Sequence, residues 1–148
     1  MAEIEIATFI AAPRETCFDL ALDVAAHEQS ASFAGERLVE PGKLSGSLAL
    51  GDLVCFEGRH FGLRQRFCAK ITLVDRPNVF VDEMVEGVFS SLRHVHEFKS
   101  VEGGTLMVDT LVWKAPLGVL GSIADSLVLK RHMRWFVATK QTHLARII

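Results

Sequence analysis

The first quarter of the chain shows two periods of hydrophobic positions, one after the other. From Glu3 to Ala11 acidic and apolar residues alternate, which is the period of a strand with one apolar face. Pro13 then stands where the first turn of a helix tolerates proline, and apolar residues recur at helical spacing as far as Val24. Asp23 is placed to cap a second short helix, which ends before Gly35. The pattern predicts one strand followed by two short helices.

Alternating segments separated by turn residues fill the middle of the chain. The predicted strands are Gly51 to Phe61, Leu63 to Val74, Val79 to Glu86, Leu92 to Glu102 and Thr105 to Lys114. Their short connections are typical of antiparallel hairpins. A capping box at Ser122 to Asp125 then predicts a long helix with a broad apolar face. This order predicts one α+β domain, residues 1–148, with an antiparallel sheet and a C-terminal helix.

Two histidines interrupt the apolar face of the predicted strand Leu92 to Glu102. Side chains alternate along a strand, and the more polar face, which we assign to solvent, holds Arg93, Val95, Glu97 and Lys99. The other face places His94 and His96 between Leu92 and Phe98. A covered imidazole needs a hydrogen-bond partner, and a sheet that curves around a single helix tends to leave an apolar gap. We therefore predict that both histidines line an internal cavity.

The last hairpin assigns two more residues to this face. Glu102-Gly-Gly-Thr105 is typical of a two-residue turn, which pairs Glu102 with Thr105. That register sets Phe98 opposite Asp109, His96 opposite Leu111 and His94 opposite Trp113. Asp109 and Trp113 are therefore predicted to share the cavity face with the histidines.

Either face of the predicted strand Val79 to Glu86 can be the inward one. Counted from the loop after Glu86, its inward residues are Val79, Val81, Glu83 and Val85. The preceding strand presents Leu63, Phe67, Ala69, Ile71 and Leu73 inward. Counted from a four-residue turn at Asp75 to Asn78, the inward set becomes Phe80, Asp82, Met84 and Glu86. An odd loop or a bulge would reconcile the two counts. We favour Glu83 as the cavity carboxylate and keep Asp82 as the alternative.

Charge and cysteine content argue against several classes of function. A net charge of -2 gives no basic surface for nucleic acid, and the basic run Lys130 to Arg134 is typical of a solvated helix end. Cys17, Cys55 and Cys68 fit neither a disulfide framework nor a zinc motif, which predicts unlinked packing residues in a reducing compartment. The N-terminus is acidic and no apolar run reaches about 18 residues. We expect a cytoplasmic protein without stable membrane insertion.

The order of the elements and several short motifs together resemble one superfamily. The motifs are Phe80-x-Asp82, Gly87-x-Phe89 and His94-x-His96-x-Phe98, preceded by His60-Phe-Gly-Leu-Arg64 and Asp75-Arg-Pro77 and followed by Pro116-Leu-Gly118 and Asp125. Over essentially the whole chain this set resembles the SRPBCC superfamily, also called START-like or Bet v 1-like. More narrowly, it resembles bacterial members described as polyketide cyclase/dehydrase-like or ligand-binding. Val88 and Leu92 depart from the narrower group, in which proline and a bulky aromatic residue are common at these positions.

The resemblance implies a helix-grip fold, in which a curved antiparallel sheet wraps around a long C-terminal helix. The superfamily includes lipid and sterol carriers, hormone receptors, and polyketide aromatases and cyclases. Fold alone therefore does not choose the function. No cofactor is expected.

We predict that the chain binds a small hydrophobic or amphipathic ligand, lipid-like or aromatic and polyketide-like, between the sheet and the C-terminal helix. The predicted binding residues are His94, His96, Asp109, Trp113, one of Glu83 and Asp82, and Phe89 near the mouth. One alternative is a cyclase or dehydratase in which His94, His96 or Asp109 supplies general acid and base catalysis. Another is a domain that modulates a partner protein through an exposed apolar patch.

Metal binding and self-association are the remaining questions at this level. Two strand histidines with Asp109 lack the ligand pattern of a recognised zinc motif, so no metal is expected. The sequence allows a homodimer without requiring one.

Overall fold

The computed structural model describes residues 1–60, 62–115 and 123–148. In chain order the strands are β1 (Ala2–Ile10), β2 (Arg37–Leu38), β3 (Leu53–His60), β4 (Leu63–Asp75), β5 (Val79–Glu86), β6 (Ser91–Val101) and β7 (Gly104–Lys114). The helices are α1 (Arg14–Leu22), α2 (Val24–Ala31) and α3 (Ile123–Ala145), with a single turn of 3-10 helix at Ser32–Ala34 after α2. None of the helices within these ranges is long and apolar enough to cross a membrane.

All seven strands form one antiparallel sheet in the order β1-β7-β6-β5-β4-β3-β2. The helix α3 packs against β1 and α2, and it lies across the concave face of the sheet. This arrangement confirms the predicted α+β, helix-grip architecture. Chain order dictates the topology, because β3 to β6 each pair with the next strand through a short connection and β1 closes the other edge beside β7.

The sequence pattern located most of these elements within a residue or two. Pro13 is the residue before the first helix and not its first helical residue, and the Asp23 side chain caps α2 by accepting from the backbone N–H of Ala25. The two-residue strand β2 and the 3-10 turn were not predicted. The capping box at Ser122 and the motif Pro116-Leu-Gly118 lie outside the described residues.

Two apolar clusters fill the space under the sheet. The first surrounds Phe18 of α1, whose ring meets Phe80 and Phe98 edge-on with centroids 5.6 and 5.2 Å away. The second joins Trp113 and Leu92 of the sheet to Val137 of α3. Full burial of an aromatic or aliphatic side chain of this size stabilises the fold by about 1.5 to 3 kcal/mol. The helices are therefore fixed on the concave face of the sheet from both ends.

The hairpin between β6 and β7 turns one residue earlier than predicted. Its two turn residues are Glu102 and Gly103, and Val101 pairs with Gly104. The turn needs a positive φ, and Gly103 supplies it at 83°. Each predicted pair is consequently wrong by two positions: His96 faces Asp109, His94 faces Leu111 and Leu92 faces Trp113. A shift of two preserves the faces, so the predicted sharing of one face is confirmed.

The pairing of β4 with β5 decides between Asp82 and Glu83. Val79 pairs with Asp75 across a tight turn, and the register shifts between Ile71 and Leu73, where β4 contains an irregularity. Continued without a break, that pairing would set Ile71 opposite Glu83, but the shift sets Ile71 opposite Asp82, whose side chain points inward. Our preference for Glu83 is wrong, because that side chain lies outside, 4.0 Å from Arg93.

The same irregularity corrects the predicted inner face of β4. Phe67, Ala69 and Ile71 line the interior as predicted, but Leu73 is 42% exposed and Leu63 is 65% exposed. Leu73 follows the register shift, so its side chain no longer shares the face of Ile71.

Two of the three cysteines are linked. Cys55 of β3 and Cys68 of β4 are directly opposed in the register and form a disulfide across 13 residues of chain, whereas Cys17 is a free, buried thiol. The prediction of three unlinked cysteines is therefore wrong, and it no longer supports a reducing compartment. Spacing failed to reveal the pair because the two residues face each other only once the hairpin fixes its register.

Gly104 gives a test of how closely the chain packs where β7 begins. A Cβ atom on Gly104 would lie against the carbonyl oxygen of Ile10 and 3.0 Å from the Cα of Ala11, both of them backbone atoms that cannot rotate away. We expect Gly104→Ala to lower the free energy of unfolding by about 2 to 3 kcal/mol in urea titrations. The control is Gly35→Ala, where the added Cβ meets open space and only a φ of 69° opposes it, at a cost of about 1 kcal/mol. Equal losses in the two variants would contradict the packing argument.

Candidate functional site

A cavity of about 220 Å³ lies between the sheet and α3. Its wall is mostly apolar and includes Val54, Phe56, Phe67, Ile71, Leu111 and Met133. Polar side chains enter this wall from β5, β6, α2 and α3. Concave apolar sites with a few placed polar groups are the usual sites of small-molecule binding.

His94 and His96 lie side by side in the cavity wall. Their rings stack with centroids 3.7 Å apart and planes inclined by 19°, because residues two apart on β6 share a face. Phe80 of β5 stacks on the other side of His96 at 4.1 Å. The three rings thus form a short stack along the sheet, and it fixes both imidazoles in position.

Two carboxylates, one on each strand next to β6, hold the imidazoles in place. Asp109 of β7 accepts from Nε2 of His94 at 2.7 Å through its Oδ1 atom, which also lies 3.1 Å from Nδ1 of His96. Asp82 of β5 accepts from Nε2 of His96 at 2.6 Å. Cross-strand pairing brings the four residues together, because His96 lies opposite Asp109 and His94 lies opposite Asp82. The hydrogen bonds run diagonally between these pairs, from His94 to Asp109 and from His96 to Asp82. We call Asp82, His94, His96 and Asp109 the His-Asp cluster.

The environment separates the two histidines into different charge states. Burial opposes the charge of His96, but hydrogen bonds to Asp109 and Asp82 outweigh it and raise the pKa of His96 to about 9. Burial and the adjacent His96 cation together lower the pKa of His94, although Asp109 opposes the shift. Near neutral pH the cluster therefore contains a cationic His96 and a neutral His94.

Both carboxylates stay ionised in spite of their burial. Desolvation raises the pKa of Asp109, but its hydrogen bonds to His94 and His96 prevail and hold that pKa below the ordinary range. Burial likewise opposes the lowered pKa of Asp82, where the hydrogen bond from His96 prevails. A buried carboxylate is tolerated where a charged donor lies beside it, as the His96 cation does here.

The helix α3 contributes two polar groups to the same region. Gln141 is buried, and its Nε2 donates to Oδ1 of Asp109 at 3.0 Å. Lys140 lines the cavity with its Nζ 5.2 Å from the ring centre of Phe56. Burial lowers the pKa of Lys140, and Asp82, Glu36 and Asp109 partly offset the shift by their charge. The helix is therefore joined to the sheet through the His-Asp cluster.

His27 of α2 forms the opposite part of the polar wall. Its Nε2 meets the carbonyl oxygen of Ala21, and the residue is 8% exposed. Burial, followed by the charge of Lys140, lowers the pKa of His27 to about 3. The imidazole is therefore neutral at physiological pH, with its proton on Nε2 and a lone pair on Nδ1.

The predicted site residues fall into three groups. His94, His96, Asp82 and Phe89 line the cavity, which leaves their roles in binding as predictions. Asp109 and Trp113 are fully buried behind them, at 0% and 2% exposure, with Trp113 packed 6.1 Å from Phe89. Glu83 lies outside the site, as described above.

Sequence reasoning missed His27, Lys140 and Gln141. The two helix residues had a usable signal, since Lys140 and Gln141 follow Val137 by three and four positions and so share its buried face. His27 had none, because a single histidine in a short helix is compatible with either face.

Metal binding can be judged from the same atoms. Among the residues that the structure describes, Asp82, His94 and His96 offer ligand atoms that all lie within 4.8 Å of one another. The carboxylate of Asp82 already accepts the proton of His96. Imidazole binds metal only as the neutral base. A divalent cation would therefore have to displace the proton that His96 holds between two carboxylates.

A scan against protein-family models and a search of the curated proteins both find no match. Solved structures do resemble the chain. The protein TTHA0849 from Thermus thermophilus superposes with a TM-score of 0.76 at 19% identity, over 98% of this chain and 95% of the other. The major latex-like protein 151 of Panax ginseng gives 0.67 at 14% identity over 98% and 95%. Ara h 8.0201 gives 0.64 at 12% identity over 97% and 98%.

At these identities the likeness is one of fold. Both chains are covered almost end to end in each comparison, so the whole element order is shared and not only the sheet.

Proposed function

We propose, with the Bet v 1-like fold of this chain as the premise, that the cavity between the sheet and α3 binds a small hydrophobic or amphipathic molecule. The observation that carries the proposal is the cavity itself, which combines an apolar wall with one polar cluster at fixed geometry. An apolar wall gains free energy when it exchanges water for a ligand, while a few fixed polar groups orient that ligand.

The volume limits the size of the ligand. An apolar cavity of about 150 Å³ accommodates benzene, so the 220 Å³ found here corresponds to one or two fused rings or a short branched chain. A larger lipid would have to move α3 away from the sheet. We therefore favour a compact aromatic or polyketide-like ligand over a long-chain lipid.

The direct test is native mass spectrometry of the purified protein, with an organic extract of the same sample analysed for released molecules. A reproducible bound mass that is absent after denaturation would support the proposal and name the ligand class. A clean unliganded mass that persists after incubation with aromatic and lipid-like compounds would count against it.

Filling the cavity should abolish binding without unfolding the chain. Ala69 lies in the cavity wall on β4 and is 1% exposed, so Ala69→Phe would place a ring in the ligand volume. We expect at least a tenfold loss of ligand affinity, measured by isothermal titration. The matched control is Ala7→Phe, at an exposed position of β1. Binding that survives Ala69→Phe unchanged would place the ligand elsewhere.

A second candidate function, a cyclase or dehydratase without cofactor, is supported by the opposed charge states of His94 and His96. Two adjacent titratable groups whose pKa values are pushed apart are a common arrangement for general acid and base catalysis. In this reading His94 acts as the base, oriented by Asp109, and His96 as the proton donor. The ligand recovered from the native protein would be added back to wild type and to His94→Gln. Chemical conversion by wild type alone would favour the enzyme, and unchanged ligand in both would favour binding alone.

A further inference from the structure

Two acceptor atoms of the cavity-lining residues are buried without a hydrogen bond within the described parts of the chain, namely Nδ1 of His27 and Oε1 of Gln141. Nδ1 of His96 is also buried without a hydrogen bond, but it lies 3.1 Å from the carboxylate of Asp109. His94 offers a further acceptor, because the hydrogen bond of its ring uses Nε2 and leaves Nδ1 over. His27, Gln141 and His94 all line the cavity. A buried polar atom without a partner costs about 1 to 3 kcal/mol, so such atoms indicate what a ligand would need to supply.

The hydrogen bonds around the cavity make Nδ1 of His27, Nδ1 of His94 and Oε1 of Gln141 acceptors. His27 is neutral and spends its one N–H on the carbonyl oxygen of Ala21, which leaves a lone pair on Nδ1. His94 is in the same state, since its N–H faces the carboxylate of Asp109. The amide of Gln141 must turn its NH₂ group toward that carboxylate, so the carbonyl oxygen Oε1 is the free end.

A carboxylate ligand would meet the wrong partners at these atoms. It offers only acceptor oxygens, which would lie against the lone pairs of His27, His94 and Gln141 with no proton to share. A neutral hydroxyl group supplies that proton and adds no charge to the apolar site.

We propose that His27, Gln141 and His94 form an acceptor subsite that recognises a neutral hydroxyl group on a ligand of one or two rings and discriminates against a carboxylate. The proposal rests on the function proposed above and adds the class of ligand. The hydroxyl donates one hydrogen bond to whichever of the three acceptors it faces, and the rings fill the apolar part of the cavity.

The experiment compares four probes of nearly equal size by isothermal titration at pH 7: 2-naphthol, 2-methoxynaphthalene, naphthalene and 2-naphthoate. Only 2-naphthol is a neutral hydrogen-bond donor. We expect it to bind at least tenfold more tightly than its methyl ether, because the ether cannot donate to the buried acceptors. Naphthoate should bind more weakly than 2-naphthol.

The ratio of the affinities for 2-naphthol and its methyl ether isolates the subsite from general damage. Gln141→Met and His27→Phe each replace an acceptor with an apolar side chain of similar bulk. At least one of the two variants should reduce this ratio by about threefold or more. The control, Gln29→Met, changes an exposed glutamine of α2 and should leave the ratio unchanged. A variant that merely loosens the cavity would weaken both probes together.

The outcomes separate the two proposals. Equal affinity for 2-naphthol and its ether in wild type, or tightest binding of naphthoate, would overturn the acceptor subsite and leave ligand binding standing. A wild-type preference for 2-naphthol that neither variant reduces would also overturn the assignment to these residues. Failure of all four probes to bind, together with an unliganded mass in the native spectrum, would overturn ligand binding and the subsite with it.

Discussion

Replacement of His96 with leucine is expected to lower the free energy of unfolding by about 3 to 5 kcal/mol. His96 is the cation that lies between Asp82 and Asp109, at 2.6 Å from one and 3.1 Å from the other. Without it, two carboxylates share a water-poor site with no charged partner between them. Removing one member of a buried ion pair has a cost of this size, because the remaining charge stays desolvated. Urea titrations followed by circular dichroism measure the loss.

Non-additivity provides the control for this prediction. Asp82→Asn alone removes a partner of His96, and should be destabilising in the wild-type background. In the His96→Leu background, Asp82→Asn instead removes a charge that has lost its partner. There it should lower the free energy of unfolding by less than in wild type, or even raise it. If the losses of the two single variants simply add in the double variant, the charge coupling between the residues is absent. His94→Leu is a useful comparison, since the neutral ring supplies only one hydrogen bond to Asp109 and should cost about 1 to 2 kcal/mol.

Stability should pass through a maximum near pH 6.5 and fall on both sides. On the alkaline side, the folded pKa of His96 is about 9 against an ordinary value of 6.5. The contribution of the His96 cation to the free energy of unfolding is therefore complete below pH 6.5. As the pH rises toward 9, on the order of 3 kcal/mol of it is lost. On the acid side, the folded pKa of His27 is about 3, so the folded state excludes a proton that the unfolded chain accepts below pH 6.5. That contribution is lost as the pH falls from 6.5 toward 3.

The carboxylates extend the acid limb of the same curve. The pKa values of Asp82 and Asp109 lie below their ordinary value of 3.8, so their contribution is lost as the pH falls below it. Urea midpoints measured from pH 3 to 9 give the profile, and two variants assign its limbs. His27→Phe should flatten the profile between pH 4 and 6.5, and His96→Gln should flatten it between pH 6.5 and 9. A wild-type profile that is level from pH 6.5 to 9 would contradict the charge assigned to His96.

The faces of β6 and β7 were predictable because the side-chain period of two is unchanged by a register error of two residues. The misplaced turn at Glu102 moved every β6 and β7 pair by two positions, yet Asp109 still shares the face of His94 and His96. The choice between Asp82 and Glu83 needed a single-position decision. That decision depends on the irregularity between Ile71 and Leu73, which leaves no mark in the pattern of side chains.

The helical part of the site was missed for a different reason. Spacing from Val137 indicates that Gln141 is buried, but not that it meets Asp109 across 32 residues of chain, and nothing in the sequence marked His27. Which residues a buried helix face contacts depends on how the helix lies on the sheet, and local patterns do not carry that information. The disulfide between Cys55 and Cys68 depended in the same way on a register that only the folded hairpin fixes.

The hydrogen bond from Gln141 to Asp109 makes the two imidazole groups sensitive to the position of α3. Oδ1 of Asp109 receives the N–H of His94 and the amide of Gln141 on one atom, with Nδ1 of His96 close by. Any displacement of α3 that stretches the amide contact would redistribute electron density over that oxygen. The imidazole N–H protons of the two histidines would then shift in a proton NMR spectrum, without a label and without a change at the surface. The entry of a ligand between α3 and the sheet would therefore be detected by the shift of these buried imidazole resonances.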